Sequence, residues 1–304
     1  MPTNAAPQVV VYGTVCLDRF VFAPTNDDLA SSEARELPGG EAFNTATALV
    51  GWGVSVLLTG TALGNEPEAG RLRELLDTHP LGVSRAFVPE IAHAITPVCT
   101  VRVFPDGERH MSGKGFSHAV SPPPLPDSVF ATQPVFAVDP NLGTPAIQEA
   151  LRAARFGCPV VAMDFDTCPD VVERSRIVVT SRETLQKHGN TNPPEVVVRE
   201  LMEQGAQTAV VTLGAQGSVC CDRETGLFSV SAFAVPGIVD TTGAGDTFRA
   251  GLCWGLLNGF ALPEMLRFAS AAAALHCCVV GGGSRPNLDD VLRLAQNNNE
   301  TKDA

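Results

Sequence analysis

The sequence predicts an α/β fold: a parallel sheet covered by helices on both faces, with a small β lid over one end. Three observations carry this expectation. Short apolar runs alternate along the chain with amphipathic stretches, the pattern of buried strands joined by crossover helices. Two further segments alternate apolar and polar positions instead, as half-exposed strands do. The 304 residues, 44% hydrophobic and 18% charged, can bury one large core and a smaller layer beside it.

Taken in order, residues 9–12, 54–59, 135–138, 160–163, 177–179 and 209–212 read as buried strands. Residues 41–52, 66–76, 144–155 and 194–204 carry the helical period between them. The alternating segments are 17–22 and 97–104. In the second, Val98, Thr100, Arg102 and Phe104 share a face, and Pro105-Asp106-Gly107 predicts a turn into a return strand at 108–111. Residues 121–126, SPPPLP, form a stiff connector back to the main domain. The boundaries that follow are an α/β core of residues 1–13, 39–87 and 116–296, a lid of 14–38 and 88–115, and a polar tail of 297–304. An open lid edge invites pairing with a second copy, so a homodimer through the lid is expected.

A net charge of −12 argues against nucleic acid and other polyanionic partners. Nine cysteines, an odd number in apolar surroundings without framework or CxxC spacing, indicate reduced thiols rather than disulfides or zinc. The first residues lack a basic stretch and a long apolar run, and no apolar segment is long enough to span a bilayer. A cytoplasmic protein without membrane association is the expectation.

The most informative segment runs from Asp240 to Phe248, DTTGAGDTF. Residues 235–239 before it suggest a strand end, and residues 248–257 after it an apolar helix. Gly243, Ala244 and Gly245 would let a phosphate approach backbone amides at a helix start, where the macrodipole favours anions. Asp246, at the same helix start, could take a proton from a hydroxyl attacking that phosphate. A glycine turn with an aspartate cap is the bland alternative. The concentration of Asp240, two threonines, the glycine turn and Asp246 within one short stretch favours the phosphate reading. No GxxxxGK[ST] is present, which excludes a Walker-type loop, and no GxGxxG opens the first helix, which weakens a dinucleotide-dependent oxidoreductase.

DTTGAGDTF resembles the C-terminal signature of the ribokinase-like carbohydrate and nucleoside kinases, the PfkB-type sugar kinases. Three other segments resemble that family in the family's order: Tyr12-Gly13 through Asp18, Gly39-Gly40-Glu41-Ala42-Phe43-Asn44, and Thr212-Leu213-Gly214-Ala215-Gln216-Gly217. The resemblance covers about residues 9–286 and implies a ribokinase-like three-layer α/β/α sandwich with a β-sheet lid. It implies ATP and Mg²⁺ as cofactors, Asp246 as the base, and Gly243, Ala244 and Gly245 as the anion hole. Asp18, Gly39, Gly40 and Asn44 would line the acceptor pocket. Without the resemblance, Asp18 reads as a loop carboxylate and Asn44 as a helix-start cap. Ser181, Thr212, Gly214 and Gly217 would lie on the nucleotide side, with residues 271–275 in a helix flanking the adenine. Asp240 and Thr242 match positions that can hold a monovalent cation, K⁺, to which residues 281–283 could add carbonyls.

Two departures bear on chemistry. The family's Asn-x-x-Glu motif, which helps to organise Mg²⁺, is replaced by Val179-Thr-Ser-Arg-Glu-Thr184, and Ser181 with Lys187-His188-Gly189 is similar to ketohexokinase-like members instead. Glu41 stands where sugar kinases often carry Lys or Asn. Asp164-Phe-Asp166 resembles the Asp-x-Asn stretch of ketodeoxygluconate kinases. The lid cations Arg102, Arg109, His110 and Lys114 read as solvated charge, or as a hold on a substrate phosphate. Phe20, Phe22 and Phe104 could stack on a base or pack the lid. The acceptor expected is a free sugar or sugar acid. A nucleoside kinase and a non-catalytic sugar or nucleotide sensor on the same fold are the alternatives.

Overall fold

The computed structural model describes residues 6–22, 34–79, 88–103, 109–279, 281 and 285–297. In chain order the strands and helices are β1 (Val9–Gly13), β2 (Cys16–Phe22), β3 (Ala34–Gly39), α1 (Glu41–Gly51), β4 (Val56–Gly60), α2 (Pro67–Asp77), β5 (Val98–Val103) and β6 (Arg109–Lys114). They continue as β7 (Val135–Val138), α3 (Thr144–Arg155), β8 (Val160–Met163), α4 (Pro169–Arg174), β9 (Ile177–Ser181), α5 (Arg182–Lys187), α6 (Pro194–Glu203) and β10 (Thr208–Thr212). Last come β11 (Ser218–Asp222), β12 (Gly226–Val230), α7 (Ala244–Leu257), α8 (Leu262–His276) and α9 (Leu288–Asn297).

The large sheet has eight strands in the order β12-β11-β10-β9-β8-β7-β1-β4. β1 is all apolar and fully buried because both of its faces are covered. Successive side chains point to opposite faces. Val9 and Val11 therefore pack with α1, α7 and α8, while Val10 and Tyr12 pack with α3. Farther along the sheet, Val178, Ala209 and Val211 pack against α6. The result is three layers, with the helices that bear the glycine turns on one side of the sheet.

The expected parallel sheet carries an antiparallel edge. β4, β1, β7, β8, β9 and β10 pair in parallel, but β11 and β12 close the edge as an antiparallel hairpin. Its turn is built locally: Asp222 accepts from the amides of Glu224 and Thr225 (3.0 and 2.6 Å), and Gly226 takes φ 75°. Residues 235–239 need correction, being an irregular connection rather than a strand. Pro236 and Gly237 (φ 77°) break extended structure there, and Ile238 and Val239 are exposed.

A separate four-stranded sheet, β3-β2-β5-β6, takes β2 and β5 from the two alternating segments and β6 from the expected return strand; β3 is a strand that the sequence pattern did not mark. β2 pairs β3 antiparallel and β5 parallel, and β5 pairs β6 antiparallel. Glu36 on β3 ties it to α2 by accepting from both Arg19 (3.0 Å) and Arg71 (3.2 Å). The expected turn at 105–107, Phe104, the Phe22 side chain and residues 298–304 of the tail lie outside the described residues. Among the described residues, no helix is long and apolar enough to cross a membrane.

Candidate active site

Parallel strands deliver their C-terminal ends to one edge, where loops and helix starts meet. β1 ends at Gly13, directly beside Asp139, which follows β7; a Cβ on Gly13 would fall 1.7 Å from the Asp139 carboxylate. Asp139 is fully buried and accepts from Thr14 N (3.0 Å), Thr14 Oγ1 (3.3 Å) and both nitrogens of Asn141 (3.3 and 3.1 Å). Asp164 follows β8 in a left-handed conformation (φ 59°) and accepts from Thr180 Oγ1 at 2.8 Å.

The glycine pair before α1 is dictated by space. A Cβ on Gly39 would sit 2.0 Å from the Asp18 carboxylate. Gly40 has φ 96°, and a Cβ there would meet the Thr14 carbonyl at 2.4 Å. Asp18 is thus folded in against Gly39, 6% exposed, with the Cys16 thiol donating to its Oδ1 at 3.3 Å. Burial pushes the Asp18 carboxyl up to about 6, against the opposing Cys16 bond.

α7 begins at the glycine turn, with Gly243 at φ 83° as its cap. The Ala244 amide closes the turn on the Thr241 carbonyl (3.2 Å), and Thr247 N–H reaches Gly243 O (2.9 Å). A Cβ on Gly245 would meet open space, so the turn presents bare backbone on that side. Asp246 stands in the first turn of α7, 7% exposed. Asn44 Nδ2, from the first turn of α1, donates to its Oδ2 at 2.8 Å, and Thr45 Oγ1 donates to its backbone carbonyl at 3.2 Å. Burial, reinforced by Asp139 and Asp164, raises the Asp246 carboxyl to about 7; Arg249 and the Asn44 bond act against that rise. Such a group is partly ionised at neutral pH and can exchange a proton there.

Of the expected acceptor residues, Asn44 reaches the α7 turn by bonding Asp246 directly, whereas Asp18 is held on the small sheet against Gly39. The expected nucleotide residues form another group on the same edge, at the ends of β9 and β10, where Thr212 is the register partner of Ser181. Ser181 Oγ caps α5 by accepting from Thr184 N (3.0 Å), and Thr212 Oγ1 donates to Thr180 O (3.3 Å). Gly214 (φ 58°) and Gly217 (φ 94°) shape the next turn, and a Cβ on Gly217 would strike Val230 O at 2.0 Å. Residues 271–275 lie within α8, as expected. Asp166 is paired with His188 Nδ1 at 2.9 Å.

The expected cation pair is engaged with N–H donors. Asp240 accepts from Thr242 N and from Gly281 N, both at 2.8 Å, and the Thr242 carbonyl is 2.6 Å from His276 Nε2. These contacts make Asp240 a brace for the turn. Among the described residues no three His, Cys, Asp or Glu side chains converge on a metal-sized site.

Sequence reasoning missed Asp139 and Arg249. Asp139 had a signal, an acid directly after a buried strand and before a proline. Arg249 had one too, as the lone charge in the otherwise apolar run of α7.

Residues 6–289 match the family model for pfkB family carbohydrate kinases, and the chain belongs to that family of phosphotransferases. It is 26% identical to a ribokinase of Arabidopsis thaliana over 316 residues, covering 95% of this chain and 81% of that protein. An uncharacterized sugar kinase of Dictyostelium discoideum is 43% identical over 77 residues, a match spanning only 25% of this chain and 22% of that one. The fold is also that of an Arabidopsis thaliana ribokinase solved with ribose and ATP, with a TM-score of 0.81 and 24% identity over 97% of this chain and 100% of that one.

The raised Asp246 carboxyl has a consequence for stability. In the unfolded chain it titrates in the ordinary carboxylate range; in the folded chain it holds its proton up to about 7. The folded state therefore binds more protons between these limits, and stability falls as pH rises through them. Thermal melts should show Asp246→Asn matching the wild type near pH 4 and exceeding it in Tm at pH 8. A pH-independent offset between the two proteins would show that Asp246 titrates normally.

Proposed function

We propose that the protein transfers the γ-phosphate of ATP to a hydroxyl of a free sugar or sugar acid, with Asp246 as general base. The observation that carries this reading is the Asn44–Asp246 bond, which couples the glycine pair at the start of α1 to the glycine turn at the start of α7. An acceptor seated by Asp18, Gly39, Gly40 and Asn44 would present its hydroxyl beside Asp246. The carboxylate takes the hydroxyl proton, the freed oxygen attacks the γ-phosphorus, the bond to the β–γ bridging oxygen breaks, and ADP leaves. Backbone amides of Gly243, Ala244 and Gly245 would stabilise charge on the phosphoryl group in flight. Ser181, Thr212, Gly214 and Gly217 would flank the nucleotide. Magnesium would come with ATP, neutralising charge on its phosphates, and no step here depends on a protein-held ion.

Phe20 supports a sugar over a nucleoside. It is 1% exposed and so offers no free ring face to a base. The lid would close over the acceptor and exclude water that would otherwise accept the phosphate.

ADP release measured against free sugars, sugar acids, sugar phosphates and nucleosides tests the reading. Free sugars or sugar acids should give the fastest turnover; preference for nucleosides, or no turnover with any acceptor, would point to the alternative kinase or to a sensor. Asp246→Asn should lose at least ~10²-fold in kcat while retaining nucleotide binding; wild-type turnover in that variant would remove the base.

Asp18→Ala strands polar groups on the acceptor, so its acceptor KM should rise about 10- to 100-fold with ATP affinity little changed. The opposite pattern would mean the two subsites are exchanged.

A further inference from the structure

Arg249 lies one helical turn beyond Asp246 and is the largest fully buried side chain among the described residues, with no exposed surface. Its bonds all cross from α7 to α1. Nε and Nη2 donate to Thr45 Oγ1 (3.0 and 2.8 Å), and Nη2 also donates to the Glu41 carbonyl (2.8 Å). Thr45 Oγ1 in turn donates to the Asp246 carbonyl (3.2 Å). The guanidinium is therefore a pin between the first turns of the two helices, and Asn44, which bonds the Asp246 carboxylate, sits between the two residues it grips.

Burying a charge is costly unless it is balanced, yet among the described residues no carboxylate forms an ion pair with Arg249. What surrounds it is a ring of acids at longer range: Glu41 from α1, Asp139 after β7, Asp164 after β8 and Asp246 on its own helix, on each of which its charge acts. From α8, His276 is turned to Thr247 Oγ1 (2.9 Å), and Asp18 is held on the lid sheet by Cys16. Three buried polar atoms at this junction lack partners among the described residues: Arg249 Nη1, Glu41 Oε2 and Asn44 Oδ1. A guanidinium placed among four acids without closing on any one of them balances the group as a whole.

On the reading of Asp246 as the base, we propose that Arg249 is a positioning residue for phosphoryl transfer: it locks α1 to α7 so that Asn44 and Asp246 stay in register, and its charge offsets the acids crowded around the base. Removing the charge favours the protonated, inactive form of Asp246. Removing the fork while keeping the charge loosens the Asn44–Asp246 geometry.

Titration of Asp246 can be followed by NMR of γ-¹³C-aspartate, its signal assigned by loss in Asp246→Asn. Kinetics would use ATP and the sugar giving the fastest ADP release. In Arg249→Met, the Asp246 midpoint should move up by about 1 pH unit or more, and the acid limb of kcat should move with it, so that activity lost at pH 7 returns at higher pH. In Arg249→Lys and in Thr45→Val, the midpoint should move less than in Arg249→Met, while kcat falls roughly 10-fold even at pH values where Asp246 is ionised. If Arg249→Met does not fold, the other two variants decide, because each keeps the charge and loses the pin. An unmoved Asp246 midpoint in Arg249→Met, or full kcat in both Arg249→Lys and Thr45→Val, would overturn the proposal. Full turnover in Asp246→Asn would instead overturn the base assignment, whatever Arg249 does.

Discussion

The arrangement depends on a carboxylate kept almost out of water at a junction of two helix starts. Asp246 is held at its side chain by Asn44 and at its carbonyl by Thr45, both from α1. Those two bonds set the approach of α1 to α7. The sheet between the helical layers fixes where both helices begin, since α1 follows the Gly39–Gly40 pair leaving the lid sheet and α7 follows the connection from β12. Burial that would be a liability for an ordinary aspartate here produces a group that exchanges protons near neutrality.

The glycines mark where backbone or carboxylate must come close. Gly13 makes room for Asp139, Gly39 for Asp18 and Gly40 for the Thr14 carbonyl. Such requirements are local and are written in residue type, which is why the glycine turn with Asp246 stood out in the bare sequence, whereas Gly39, Gly40 and Asn44 were read from the family resemblance. The buried strands were equally plain, because a strand covered on both faces needs an unbroken apolar run. Of the strands in the small sheet, β2 and β5 were legible from their alternation and β6 from the turn signal before it, whereas β3, which runs from exposed to buried without alternating, was not.

What the sequence hid was decided by tertiary pairing. The β11–β12 hairpin carries mixed residues such as Cys220, Cys221, Ser229 and Val230, and only its docking on β10 makes it a strand pair. Residues 235–239 look apolar enough for a strand, but Pro236 and Gly237 leave them irregular. Arg249 was hidden because its meaning lies in α1, some two hundred residues earlier, and helical periodicity says nothing about a partner so distant. Asp240 was read as part of a cation site, while its bonds to the Thr242 and Gly281 amides, which brace the turn, depend on how the chain returns after α8.

The central claim is that the buried Asp246 carboxylate must lose its proton before the acceptor can be phosphorylated. The direct measurement is the pH dependence of kcat/KM for the acceptor at saturating MgATP. The acid side should be half-maximal at about 7 through Asp246, with the acceptor-binding Asp18, raised to about 6, ionising below it, and the residual activity of Asp246→Asn should lack the upper limb. A wild-type profile that stays flat down to pH 5 would contradict the claim.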